Sequence, residues 1–184
     1  MSARNIEGVL RTAELLLEAR QHERAGRIRE AMDYCMAAVA EAAWCGAWAA
    51  QAVGLRRLGM LHHHRNELAA ARDTCRSSVE VALRAGETTI AVEALLSLGN
   101  FELASGNVAA ARATYHEALA ALRDEHPELR ARIERDLALL ANEQTTHDPS
   151  ENTADRGKNG EDGDARRPRC GRCRCAHAVL CLPR

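Results

Sequence analysis

Sliding the sequence against itself by 40 residues brings like onto like. Leu15, Leu55 and Leu95 fall in one column, Ala19, Gly59 and Gly99 in a second, and Ala31, Ala71 and Ala111 in a third. Ile28, Leu68 and Val108 form an apolar column, and Val39, Val79 and Leu119 another. In the plainest stretch, Ala69-Ala70-Ala71-Arg72-Asp73-Thr74-Cys75 matches Ala109-Ala110-Ala111-Arg112-Ala113-Thr114-Tyr115 at five of seven positions. A register kept through small, apolar and chain-breaking positions marks one structural unit used several times. Units of this length bury their apolar faces by stacking on one another.

Each unit reads as two helices. Leu55, Leu58, Gly59 and His62 follow i, i+3, i+4, i+7 spacing, which puts them on one face of a first helix. Asn66 breaks the chain, and Leu68, Ala71, Cys75, Val79 and Ala82 then line the inner face of a second helix. Gly86 closes that helix and Gly46 stands at the same place one unit earlier, where a helix end favours glycine. The third unit repeats the pattern with Leu95, Leu98 and Gly99, a turn at Ser105-Gly106-Asn107, and then Val108, Ala111, Tyr115, Ala118 and Leu119. Gly59 and Ala71 are small where two helices must approach closely. Pro127 suits a first helical turn, and Leu129, Ile133, Leu137 and Leu140 give the following helix one apolar stripe, as a cap on the stack requires.

Composition agrees. Apolar residues make up 46% of the 184, but aromatic residues only 3%, so Leu and Ala dominate and helix is favoured over sheet. The formal net charge of −1 gives the whole chain no strong electrostatic footprint for nucleic acid. Lys158 is the one lysine beside 24 arginines, a bias that fits a GC-rich genome better than a nucleic-acid site. No run of eighteen apolar residues occurs, so no membrane span is expected. Met1 to Glu7 lacks the basic and apolar regions of a signal peptide, which makes the cytoplasm the expected location. Glu143 to Arg169 has almost no apolar side chains and contains Pro149, Gly157, Gly160 and Gly163, so it is expected to be disordered.

The repeated columns resemble the tetratricopeptide repeat. Leu55, Leu58-Gly59, Ala71, Cys75 and Ser78 stand at that family's key positions in unit two, and Leu95, Leu98-Gly99, Gly106, Ala111, Tyr115 and Ala118 in unit three. In unit one Leu15, Ala19, Gly26, Ala31, Cys35 and Ala38 match, with Glu18 where Leu is usual. His22, His62 and Glu102 replace the family's first aromatic, and its closing proline is absent. The period of 40 exceeds the usual 34 and looks like that of the helical regions of MalT-like and LuxR-type ATP-dependent regulators. The resemblance implies an all-α, right-handed superhelical solenoid of antiparallel helix pairs. Its expected extent is 5–142, with units at about 12–51, 52–91 and 92–125, a capping helix at 127–142, and a disordered linker and tail over 143–184.

The same resemblance implies a concave groove lined by first-helix residues. These are Ala13, Leu16, Arg20 and Glu23, then Val53, Arg56, Met60 and His63, then Glu93, Leu96, Asn100 and Leu103. Arg20, Arg56, Met60, His63, Asn100 and Leu103 are the candidates for contact with a protein or peptide ligand. No Ser/His/Asp grouping, phosphate loop or His-Glu-x-x-His motif is present, so neither catalysis nor a cofactor is expected. The three consecutive side chains of His62-His63-His64 point about 100° apart on a helix and cannot converge on one ion. Cys170, Cys173, Cys175, His177 and Cys181 offer soft ligands enough for zinc, but as one tight cluster without the second, separated pair of a structural zinc site. Cys35, Cys45 and Cys75 read as free, small core residues.

The sequence therefore points to a non-catalytic module that binds another protein through its groove, with no nucleic acid or membrane as partner. Two alternatives stay open: a detached sensor segment of a MalT-like regulator, and a zinc-binding protein acting through its tail. Self-association through apolar ends is a further open point.

Overall fold

The computed structural model describes residues 3–122 and 126–145. The cysteine cluster Cys170, Cys173, Cys175 and Cys181, and the segment expected to be disordered from residue 146 on, lie outside the described residues; residues 143–145, expected to belong to that segment, instead continue the last helix. The described part consists of seven helices and no strand: α1 (Ala3–Arg24), α2 (Ile28–Cys45), α3 (Trp48–His64), α4 (Leu68–Ala85), α5 (Thr88–Ala104), α6 (Val108–Ala121) and α7 (Pro127–Thr145). Each helix packs on the next, and the first helices of successive pairs also touch, α1 on α3 and α3 on α5. This is the all-α, TPR-like stack of helix pairs.

One turn geometry recurs five times. Gly26, Gly46, Gly86 and Gly106 have φ between 72° and 78°, and Asn66 has φ 61°. Only glycine, and less often asparagine, enters this left-handed region at low cost. In each turn the following amide reaches back five residues: Arg27 to the His22 carbonyl at 2.9 Å, Glu67 to His62 at 2.9 Å, and Asn107 to Glu102 at 2.8 Å. Ala47 to Ala42 and Glu87 to Ala82 close the other two at 2.8 and 2.9 Å. These bonds satisfy the last carbonyls of each helix. The turns therefore recur every 20 residues, twice in each 40-residue unit, in the backbone itself. The recurrence fails at His126, where the register asks for a sixth such turn; α6 stops early, at Leu122, in extended conformation.

The small-residue column has the expected steric role. A Cβ on Gly59 would lie 2.7 Å from the Cys75 Sγ, and one on Gly99 2.4 Å from the Tyr115 ring. Across the pair, Ala19 shares its core with Cys35, Gly59 meets Cys75, and Gly99 meets the Tyr115 ring. Burial pushes the Cys35 and Cys75 thiols up to about 12 and, with Asp136 nearby, the Tyr115 phenol to about 12. Such thiols are inert packing groups. Cys45 is half-buried and packs against Gly8.

The largest core cluster joins Val79, Val92, Leu95, Leu96, Tyr115 and Leu122 to Ile133 and Leu140 of α7, with Leu129 and Leu137 partly buried against it. The apolar stripe of α7 thus closes the third pair.

Candidate interaction surface

The first helices α1, α3 and α5 supply the row implied by the resemblance, and the structure treats its members differently. Arg20 is exposed and makes no ion pair among the described residues. Arg56 reaches from α3 to Glu93 of α5 at 2.8 Å, with the two side chains 26% and 40% exposed. Its Nη1 also lies 4.0 Å from the Sδ of Met60, itself 37% exposed. The Arg56 Nε is buried without an acceptor among the described residues. One side chain therefore joins two units and holds an exposed thioether beside an exposed carboxylate.

His63 stacks on Phe101 with centroids 4.8 Å apart and planes 18° from parallel. Partial burial, and secondarily His64, hold its pKa below the usual histidine value. At neutral pH it is a neutral, flat ring. Asn100 is exposed but uses its Oδ1 to accept a 2.6 Å bond from the Tyr115 hydroxyl, which leaves its amide donors outward. Leu103 is half-buried against the third-pair core, and Leu96, expected in the groove, is only 2% exposed within that core. The reason is α7: its Ile133 and Leu140 join Leu96 in the same cluster, so the third first-helix gives up apolar groove residues to the cap. Glu23 is likewise occupied, by Arg57 at 2.7 Å.

The adjacent histidines diverge. His62 meets Glu67 at 2.7 Å, His63 takes the stacking position, and His64 is exposed. Glu67 is held below the ordinary carboxylate range by His62 first and by Arg65. At the place of the family's aromatic, each unit carries a polar residue that bonds the residue five positions on: Arg27 Nε donates to His22 Nδ1 at 3.0 Å, His62 meets Glu67, and Asn107 Nδ2 donates to Glu102 at 2.9 Å. Glu102 is 6% exposed and also accepts from Arg72 at 3.2 Å, with Arg76 3.9 Å away. Buried carboxylates need such partners. The signal for this in the sequence is two columns five residues apart, His22/His62/Glu102 and Arg27/Glu67/Asn107, each repeating every 40 residues.

The fold has parallels among solved structures. The N-terminal domain of stress-induced protein-1 (STI-1) from C. elegans superposes with a TM-score of 0.58 over 73% of this chain and 98% of that one, at 14% identity. The fold is TPR-like. BtubC (BKLC) from P. vanneervenii gives 0.59 over 85% of this chain and 72% of that one, at 15% identity. The sequence itself matches no family profile and no curated protein. No helix among the described residues is long and apolar enough to cross a membrane.

Proposed function

We propose that this chain is a non-catalytic, cytoplasmic interaction module that holds a protein or peptide in the groove formed by α1, α3 and α5. The observation that carries this reading is the exposed set around the Arg56–Glu93 bridge: a carboxylate, a thioether, a neutral stacked imidazole and the outward donors of Asn100. These groups offer hydrogen bonds and apolar contact at helical spacing, as peptide recognition requires. The likeness to an STI-1 domain supports the architecture of such a module. A photo-crosslinking residue placed at Met60 should yield a discrete adduct in the native host, whereas one at Ala113 on α6 should not. No adduct at Met60, or equal adducts at both, would defeat the reading. The 40-residue period favours a second reading, in which this stack is the sensor portion of a MalT-like regulator. Its signature would be an adduct with an ATPase partner.

A further inference from the structure

We propose that the cleft between the start of α1 and the end of α2 binds an arginine side chain of a partner protein, its guanidinium laid flat on the Trp44 ring and bonded at its edge by the Glu41 carboxylate.

The internal repeat shows which half of the contact is present. Residues 8 and 48 share one column, toward the start of the first helix of a pair, and residues 44 and 84 share another, in the last turn of the second helix. In the second pair these columns hold Trp48 and Arg84, with the guanidinium carbon 5.0 Å from the centroid of the indole. In the first pair the indole stands in the other column, as Trp44, and its counterpart is Gly8, which has no side chain. Trp44 is 89% exposed, and no cation lies over its ring among the described residues. The first pair thus carries the aromatic half of an arginine–indole stack without the cationic half.

Gly8 also shapes the site. A Cβ there would lie 2.6 Å from the Cys45 Cβ and 3.2 Å from the Glu41 Oε1. The bare Cα lets α1 close onto the end of α2 and leaves the Glu41 carboxylate alongside it. The result is a cleft of about 640 Å³ over Gly8, walled by Glu7, Leu10, Arg11 and Glu14 of α1 and by Glu41 and Trp44 of α2. None of the groove candidates lines it, so it is a second point of contact, independent of the groove.

Electrostatics selects the occupant. Three carboxylates share the cleft with one cation, Arg11, which Glu14 takes at 3.6 Å. Glu41 is half-buried and has neither ion pair nor hydrogen bond among the described residues. A carboxylate partly withdrawn from water favours a cation beside it. No group of His, Cys, Asp and Glu able to hold a metal ion occurs among the described residues. An organic cation suits the cleft, because the indole face attracts it and the carboxylate accepts its N–H groups. A guanidinium does both at once, being flat and carrying its donors at the edge, whereas an ammonium is a point charge. Arg84 on Trp48 is the same pairing made within the chain. Leu10, 61% exposed in the cleft wall, offers apolar surface to the methylene stem of the incoming arginine.

Titration of the full chain with acetyl-Gly-Arg-Gly-amide tests this. In a Trp48→Phe variant Trp44 is the one tryptophan left. Its emission should change saturably, with a dissociation constant in about the millimolar range for one stacked, ion-paired side chain. The citrulline counterpart, alike in shape but uncharged, should leave the emission unchanged, and the lysine counterpart should bind more weakly. Glu41→Gln should raise the dissociation constant about tenfold, while Glu80→Gln on α4 should not. Nuclear magnetic resonance of the unsubstituted chain gives a second readout: the indole N–H signal that Trp44→Phe removes should shift during the titration, and the other should stay in place. No response to the arginine peptide in either measurement would overturn the proposal. So would citrulline or lysine peptides that bind as tightly, or a Glu41→Gln chain that binds like the wild type.

Discussion

The first and third helix pairs are copies of one sequence pattern, yet they end the stack in different ways. In the third pair a glycine faces an aromatic ring, a buried carboxylate gathers Arg72, Arg76 and Asn107, and α7 closes the apolar face. In the first pair Ala19 shares its core with Cys35, His22 bonds Arg27 at a more exposed turn, and α1 leaves Leu10 and Leu17 in solvent. One backbone register thus tolerates a thiol or a phenol ring, an imidazole or a carboxylate, each with its own local partners. The repeat specifies where groups meet; the local partner specifies how strongly.

Removing the cap should open the widest gap between the two ends. Ile133→Ala deletes a fully buried side chain and should cost about 2–5 kcal/mol, read as a lower melting temperature. Leu139→Ala on the same helix, at a 56% exposed position, should stay within about 0.5 kcal/mol. A smaller loss, about 1–3 kcal/mol, is expected for Gly99→Ala, since its Cβ would enter the Tyr115 ring. Adding Tyr115→Cys rebuilds the Ala–Cys pairing of the first unit, so the double variant should recover part of the loss in a urea titration. If it falls further than either single change, the two columns are not coupled.

The polar staples come next. Glu102→Ala leaves Arg72 and Asn107 facing a gap and should cost roughly 1–3 kcal/mol, against a few tenths for His22→Ala. The smallest effect concerns protons. The folded-state pKa of His63 lies below its ordinary 6.5, so the unfolded chain binds a proton more readily. Its contribution is intact above that value and is lost as the pH falls through the folded pKa. Stability measured across this window should decline less in a His63→Phe variant than in the wild type.

Much of this was legible in the sequence. The columns Ala19/Gly59/Gly99 and Cys35/Cys75/Tyr115, the breaks at Gly46, Asn66, Gly86 and Gly106, and the stripe from Leu129 to Leu140 gave helix pairs and a cap, because close packing and left-handed turns restrict residue choice severely. The groove was legible only as a row of positions. Whether Arg56 finds Glu93, or Leu96 is taken by α7, depends on long side chains and on a last helix out of register, which periodicity does not report. Glu102 read as a departure from a family pattern, and only its arginine and asparagine partners explain why a carboxylate stands there.

Hydroxyl-radical footprinting of the full chain tests the contrast between the ends most directly, because it reads side-chain exposure at both in one sample. Strong modification of Leu10, Leu17 and Trp44 with protection of Leu96, Ile133 and Leu140 is the predicted result. Comparable modification of both sets would contradict an N-terminal face left open and a C-terminal face closed by α7.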